Sequence, residues 1–90
     1  MSSVRLAFSS SRGALVRPLS ALEAGARCVV VHVEPHQGES VDRLLALGVT
    51  PGASVTVLQT FPGVVFLCDQ TELAVERAVA DVIFVKSAEE

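Results

Sequence analysis

The segment HVEPH, residues 32–36, contains the side chains best suited to chemistry in this sequence. Its two imidazoles and one carboxylate occupy positions i, i+2 and i+4, so an extended strand would place all three on one face. Imidazole nitrogen and carboxylate oxygen are common ligands of Zn²⁺ and Fe²⁺. The spacing therefore predicts a divalent-metal site formed by His32, Glu34 and His36. The alternative interpretation is a solvated polar face that leads into a turn at Pro35.

Motifs that would support catalysis do not occur elsewhere in the sequence. It contains neither a GxxxxGK[ST] nor a GxGxxG phosphate-binding loop, and neither HExxH nor GxSxG. The two thiols, Cys28 and Cys68, form no CxxC pair, and no cluster of bases lies beside either of them. Both are predicted to be reduced residues that are buried in strands. We therefore expect a protein that is not an enzyme.

Charge and aromatic content limit the classes of partner. The net charge is −3, but residues 1–17 carry three arginines and no acid, whereas residues 18–90 carry ten acids and four basic residues. An acidic globular part argues against nucleic acid as a partner. The sequence has no Trp or Tyr, the residues that most often stack on bases or line peptide grooves. No apolar run is long enough to span a bilayer, and reduced thiols suit the cytoplasm.

Short apolar segments separated by turn residues predict a mainly β fold. Five strands in roughly seventy residues, without long helices to cover a flat sheet, favour a small closed or half-closed barrel. In the first strand, the odd-numbered valines alternate onto one face, which we interpret as the core face. The predicted strands are residues 26–34, residues 54–61 and the segments VVFLCD, ELAVER and DVIFV.

The segment DRLLALGVTPG, residues 42–52, predicts a single short helix and its termination. Gly48 is at the position after the helix where a left-handed backbone is common, and Val49 can then pack against Leu44 as in a Schellman motif. Pro51–Gly52 is suited to the centre of a type II turn. A helix this short has little stability of its own, so packing must hold it.

Two patterns in the chain together resemble the FeoA family of ferrous iron transport proteins. The first is Leu-x-x-Leu-x-x-Gly before a Val-rich strand, and the second is Arg-Leu-Leu-x-Leu-Gly-Val-x-Pro-Gly-x-x-Val-x-Val. The residues concerned are Leu19, Leu22, Gly25, Arg43, Leu44, Leu45, Leu47, Gly48, Val49, Pro51, Gly52, Val55 and Val57. The segment ELAVERAVADVIFV resembles the closing hairpin of the family. Family members usually have a longer Gly/Pro segment where this chain has only Phe61–Pro62–Gly63.

The resemblance implies an SH3-like barrel of about five strands with one short helix. It covers residues 18–86, so residues 18–90 are expected to be the FeoA-like domain and residues 1–17 a flexible or extra segment. It also implies a non-enzymatic cytoplasmic accessory of ferrous iron transport, without a cofactor or membrane insertion, which acts on FeoB, the membrane permease with a G-protein domain.

An apolar groove beside the short helix is the expected contact surface for this partner. Its predicted lining is Leu45, Leu47 and Val49, because the chain contains more Leu and Val than one small core would bury. A homo-oligomer is a further expectation, since exposed strand edges in small barrels often pair.

Related barrels also form the C-terminal domain of iron-dependent repressors of the diphtheria-toxin-repressor type. The alternative function is therefore a module that binds or senses a divalent metal, with Fe²⁺ or Zn²⁺ held by the HVEPH side chains. The N-terminal segment is too short to contain the DNA-binding and dimerisation domains of those repressors, which favours the transport accessory.

Overall fold

The computed structural model describes residues 15–35 and 41–88 of this chain. Within those residues, the strands are β1 Arg17–Pro18, β2 Arg27–Val33, β3 Ser54–Gln59, β4 Val64–Cys68, β5 Thr71–Val75 and β6 Ile83–Ser87. The six strands form one antiparallel sheet in the order β1-β6-β2-β3-β4-β5, which confirms the predicted mainly β, SH3-like fold. The helices are a 3₁₀ helix Leu19–Ala21, α1 Val41–Ala46 and α2 Arg77–Ala80.

One hydrophobic core is enclosed by this sheet. Inward side chains of β3 and β4 alternate along each strand with exposed or half-buried ones, as expected for strands with one face in a core. Strands that are not neighbours in the sheet contribute to the same cluster, so the sheet must curve around it. The fully buried side chains with the largest volumes are Phe66, Leu19 and Ile83.

Strand β2 does not follow the predicted alternation. Cys28 and Val30 are buried, whereas Val31 is exposed, so the expectation that the odd-numbered valines form the core face was wrong. The register with β6 shifts between Val30 and His32, and this bulge leaves Val31 without a partner of its own. A bulged strand changes which face its later residues occupy. The sequence could not decide the core face, because a run of valines is compatible with either face of the sheet. It could not show the bulge, because the bulge depends on pairing with a strand more than fifty residues away.

The end of helix α1 agrees with the sequence-based prediction. The amide of Gly48 donates to the carbonyl of Leu45, and the amide of Val49 donates to the carbonyl of Leu44, both at 3.0 Å. These are the two hydrogen bonds of a Schellman motif. Gly48 has a φ of 100°. Gly52 also has a positive φ, as the predicted type II turn requires.

A Gly48→Ala variant is expected to be less stable by about 1–2 kcal/mol, because an L-residue is disfavoured in the left-handed region. No heavy atom lies within 4 Å of a Cβ built at this position, so the loss arises from the backbone and not from a clash. Gly48→Asn is the matched control and should lose less, since Asn tolerates this conformation. Urea denaturation measures both variants, and equal stability of Gly48→Ala and wild type would contradict the prediction.

The C-terminal part of the chain is not the predicted hairpin. Helix α2 separates β5 from β6, and these two strands do not pair: β5 pairs with β4, while β6 pairs with β1 and β2. Arg17, which the sequence-based prediction places in the extra N-terminal segment, lies in β1 opposite Val85. The sheet therefore contains one more strand, and the described residues one more α-helix, than the sequence predicted. The rest of the predicted leader, residues 1–14, lies outside the described residues.

Candidate functional site

Two of the three predicted partner-binding residues are exposed, and the third is buried. On α1, Leu44 points into the core, whereas Leu45 is 38% exposed and Leu47, just after the helix, is 44% exposed. Val49 is 0% exposed and packs in the core, so it is removed from the predicted surface. We refer to Leu45 and Leu47 together as the leucine surface.

The backbone that carries the leucine surface is fixed at several points. The amide of Leu47 donates to the carbonyls of Arg43 and Leu44, both at 3.1 Å. The thiol of Cys68, on β4, donates to the carbonyl of Gly48 at 3.2 Å. Because these contacts hold the helix end to the sheet, the two leucines are presented with little backbone freedom, and a partner would lose little entropy in ordering them.

A second exposed apolar group occurs at the turn between β3 and β4, which sequence reasoning did not select. Phe61 is 78% exposed and Leu58 is 42% exposed. The guanidinium of Arg77 donates to the backbone carbonyl of Thr60 next to this turn, and also to that of Ser20. The FPG sequence predicted the turn itself, but only the folded chain shows that Arg77 holds it.

The predicted metal ligands are brought together only in part. His32 Nε2 and Glu34 Oε2 are 3.0 Å apart, and both side chains are about half exposed. The imidazole of His32 also stacks on the ring of Phe84, with ring centroids 5.8 Å apart. His36 lies outside the described residues. Within the part of the chain that is described, no group of three His, Cys, Asp or Glu side chains is arranged to hold a metal ion, so the metal site stays a prediction.

The two cysteines are buried and unpaired, as predicted. Burial raises the pKa of the Cys28 thiol to about 11, although the nearby Arg17 guanidinium opposes this rise. Burial and the adjacent Asp69 carboxylate raise the pKa of Cys68 as well. A thiol must lose its proton to act as a nucleophile or a metal ligand, so neither cysteine is suited to such chemistry at neutral pH.

The stability of the fold is therefore expected to fall as the pH rises from about 9 towards 11. In the unfolded chain Cys28 titrates near its ordinary pKa of 9.0, so the stabilisation is complete below pH 9 and is lost as the pH approaches the folded value of about 11. This contribution is at most roughly 3 kcal/mol. The chain has no Tyr and one Lys, so the main other group expected to contribute in this pH range is Cys68, whose pKa is also raised.

Urea denaturation of wild type and Cys28→Ala at pH 7.5 and at pH 10.5 measures this effect. Cys28→Ala should show a smaller loss of stability between the two pH values than wild type. An identical loss in the two proteins would show that another group is responsible.

None of the helices in residues 15–35 and 41–88 combines the length and the apolar character needed to cross a bilayer.

Comparison with known proteins shows which family this chain resembles. A model of the FeoA domain matches residues 17–87. A search of curated proteins found no match.

Solved structures agree with the family match. The solution structure of the FeoA protein from Chlorobium tepidum has 31% identity and a TM-score of 0.72, over 79% of this chain and 70% of that one. The crystal structure of an iron uptake regulatory protein, FeoA, has 26% identity and a TM-score of 0.70, over 80% of this chain and 97% of that one. The IdeR protein of T. acidophilum shares the fold. It has 15% identity and a TM-score of 0.72, over 80% of this chain and 34% of that one.

Proposed function

Because this chain belongs to the FeoA domain family, we propose that it serves ferrous iron transport as a non-enzymatic cytoplasmic accessory that binds the cytoplasmic part of the permease FeoB. The proposal deals with recognition of a protein and not with a reaction. The observation that carries it is the leucine surface, where two large apolar side chains are exposed at the end of a helix whose backbone is held by hydrogen bonds.

The leucine surface has the character of a small, transient contact. Exposed apolar side chains on a rigid segment are the typical anchors of protein interfaces, while the surrounding polar residues exclude water around them. Arg43 and Asp42, on the exposed side of the same helix, would form the polar border. Two leucines define a contact at the small end of the range for specific complexes, which suits an accessory that binds and leaves its partner.

The direct experiment is a titration of the full chain against the cytoplasmic part of FeoB, with binding measured by calorimetry or biolayer interferometry. Saturable binding with one-to-one stoichiometry is expected. The proposal fails if no saturation is reached at the highest soluble concentration of either protein.

The second candidate function is the binding or sensing of a divalent metal. It is supported by the contact between His32 and Glu34, which brings an imidazole and a carboxylate onto one exposed site. Calorimetric titration with Zn²⁺, of wild type and of His32→Ala, separates this function from protein docking because it needs no partner protein.

A further inference from the structure

A cleft of about 500 Å³ lies where β1, the beginning of β2 and the end of β6 meet. It shares no residue with the leucine surface or with the HVEPH segment. Its apolar lining includes Leu22 and Val85, which are buried in the core. Three of its lining residues are basic and none is acidic; the basic ones are Arg17, Arg27 and Lys86.

This concentration of positive charge contrasts with the rest of the domain. The described residues contain five basic and seven acidic side chains, yet three of the five basic ones line this single cleft. Within residues 15–35 and 41–88, none of these three forms an ion pair with a carboxylate. Arg77, in contrast, is engaged by two backbone carbonyls. No carboxylate of the described residues therefore competes with an external anion for the three cleft cations.

The pairing of the strands brings Arg17 to the cleft. Arg17 lies directly opposite Val85 on β6, and directly opposed residues point to the same face of a sheet. Its guanidinium is also close enough to Cys28 to affect the charge of that thiol. Arg27 and Lys86 line the cleft from β2 and β6, and all three cations are exposed. The cleft therefore gathers three exposed cations around one opening.

We propose that this cleft binds a compact anion that carries carboxylate or phosphate groups. Its volume is within the range of about 300–1,000 Å³ that is usual for small-molecule sites. The planar guanidinium of Arg17 suits both groups, since it can donate two parallel hydrogen bonds to either one. This binding is independent of the docking proposed for FeoB.

The surroundings limit the ligand further. No lining residue is aromatic, so the cleft offers no ring on which a nucleobase would stack. The remaining surface is acidic, so it would repel an extended polyanion such as nucleic acid or a long acidic peptide beyond the cleft. A small anion avoids this repulsion because it contacts only the cleft residues. These two constraints favour a compact, non-aromatic ligand.

The test uses the full chain and two probes, citrate for carboxylates and pyrophosphate for phosphates, at constant ionic strength. Amide resonances of the lining residues should shift in a saturable way in NMR spectra. Arg17→Gln should weaken binding by at least about tenfold, since it removes a charge-assisted pair of hydrogen bonds. Arg43→Gln removes the same charge away from the cleft and should change the affinity by less than about twofold.

Two further variants keep the test valid if Arg17→Gln disturbs the sheet. Arg27→Gln alters an exposed cation at the rim and should also weaken binding. Arg17→Lys keeps the charge but loses the pair of parallel N–H donors of the guanidinium. Its affinity for the anion should lie between those of wild type and Arg17→Gln. Leu47→Asp should leave anion binding unchanged, so a failure of FeoB docking is distinguishable from a failure of this site.

Binding of either probe that is weakened by Arg17→Gln supports the proposal, and a preference between the probes identifies the anionic group. Three outcomes overturn it. These are the absence of saturation with both probes, equal weakening by Arg17→Gln and Arg43→Gln, and tighter binding of a glutamate-rich hexapeptide than of either small anion.

Discussion

Leu47→Asp is expected to lose at least about tenfold in affinity for the cytoplasmic part of FeoB while keeping its fold. Burial of a leucine side chain in an interface contributes roughly 1.5–3 kcal/mol, and a buried aspartate would add the free energy of desolvating a charge. Leu47 is 44% exposed and lies after the last residue of α1, so its replacement removes little from the core. Calorimetry measures the affinity, and thermal unfolding checks the fold.

The chain offers a matched control in Leu58. It is exposed to a similar extent, 42%, and lies on β3, so Leu58→Asp introduces the same chemical change on a different element. This variant should bind FeoB as wild type does. If Leu47→Asp stays folded and binds normally, the leucine surface is not the contact. If only Leu58→Asp loses binding, the contact moves to the turn that carries Phe61.

Phe66→Ala is expected to destabilise the domain by about 3–5 kcal/mol. Phe66 is 0% exposed, lies in the middle of β4, and has the largest volume among the fully buried side chains. Removing its ring would leave a cavity in the core, because the hydrogen-bonded strands around it cannot all move inward to fill the space. Since a domain of about seventy residues is stable by only roughly 4–10 kcal/mol, much of the variant should be unfolded at 37 °C.

Phe61→Ala makes the same chemical change at the surface. Phe61 is 78% exposed, so its replacement should alter the free energy of unfolding by less than about 0.5 kcal/mol. Urea denaturation followed by circular dichroism measures both variants. Similar losses in the two variants would show that Phe66 does not hold the core together in the way that its burial indicates.

The features that the sequence predicted correctly depend on short stretches of chain. The end of α1 could be predicted because Gly48 and Val49 complete their hydrogen bonds within one turn of helix. The Pro51–Gly52 turn is equally local. For such segments, the preferences of individual residues decide the backbone conformation without help from distant strands.

The features that were missed depend on contacts between distant parts of the chain. The bulge at Val31 requires β6, and the burial of Val49 requires the whole core. The cleft could not be predicted either, because it forms only when β1, β2 and β6 come together in the sheet. The sequence shows that Arg17 is basic, but the prediction made from it placed this residue in an N-terminal segment instead of in the sheet.

The position of β6 also determines when the protein can fold during synthesis. This strand lies between β1 and β2, although it is the last strand of the described chain. A nascent chain that has not yet extended beyond Ile83 therefore lacks the strand that joins the two sides of its sheet. Pairing of residues so distant in sequence is slow, and β1 can be added only after β6 has left the ribosome. Folding of this domain is consequently expected to be completed only after Ser87 has left the ribosome.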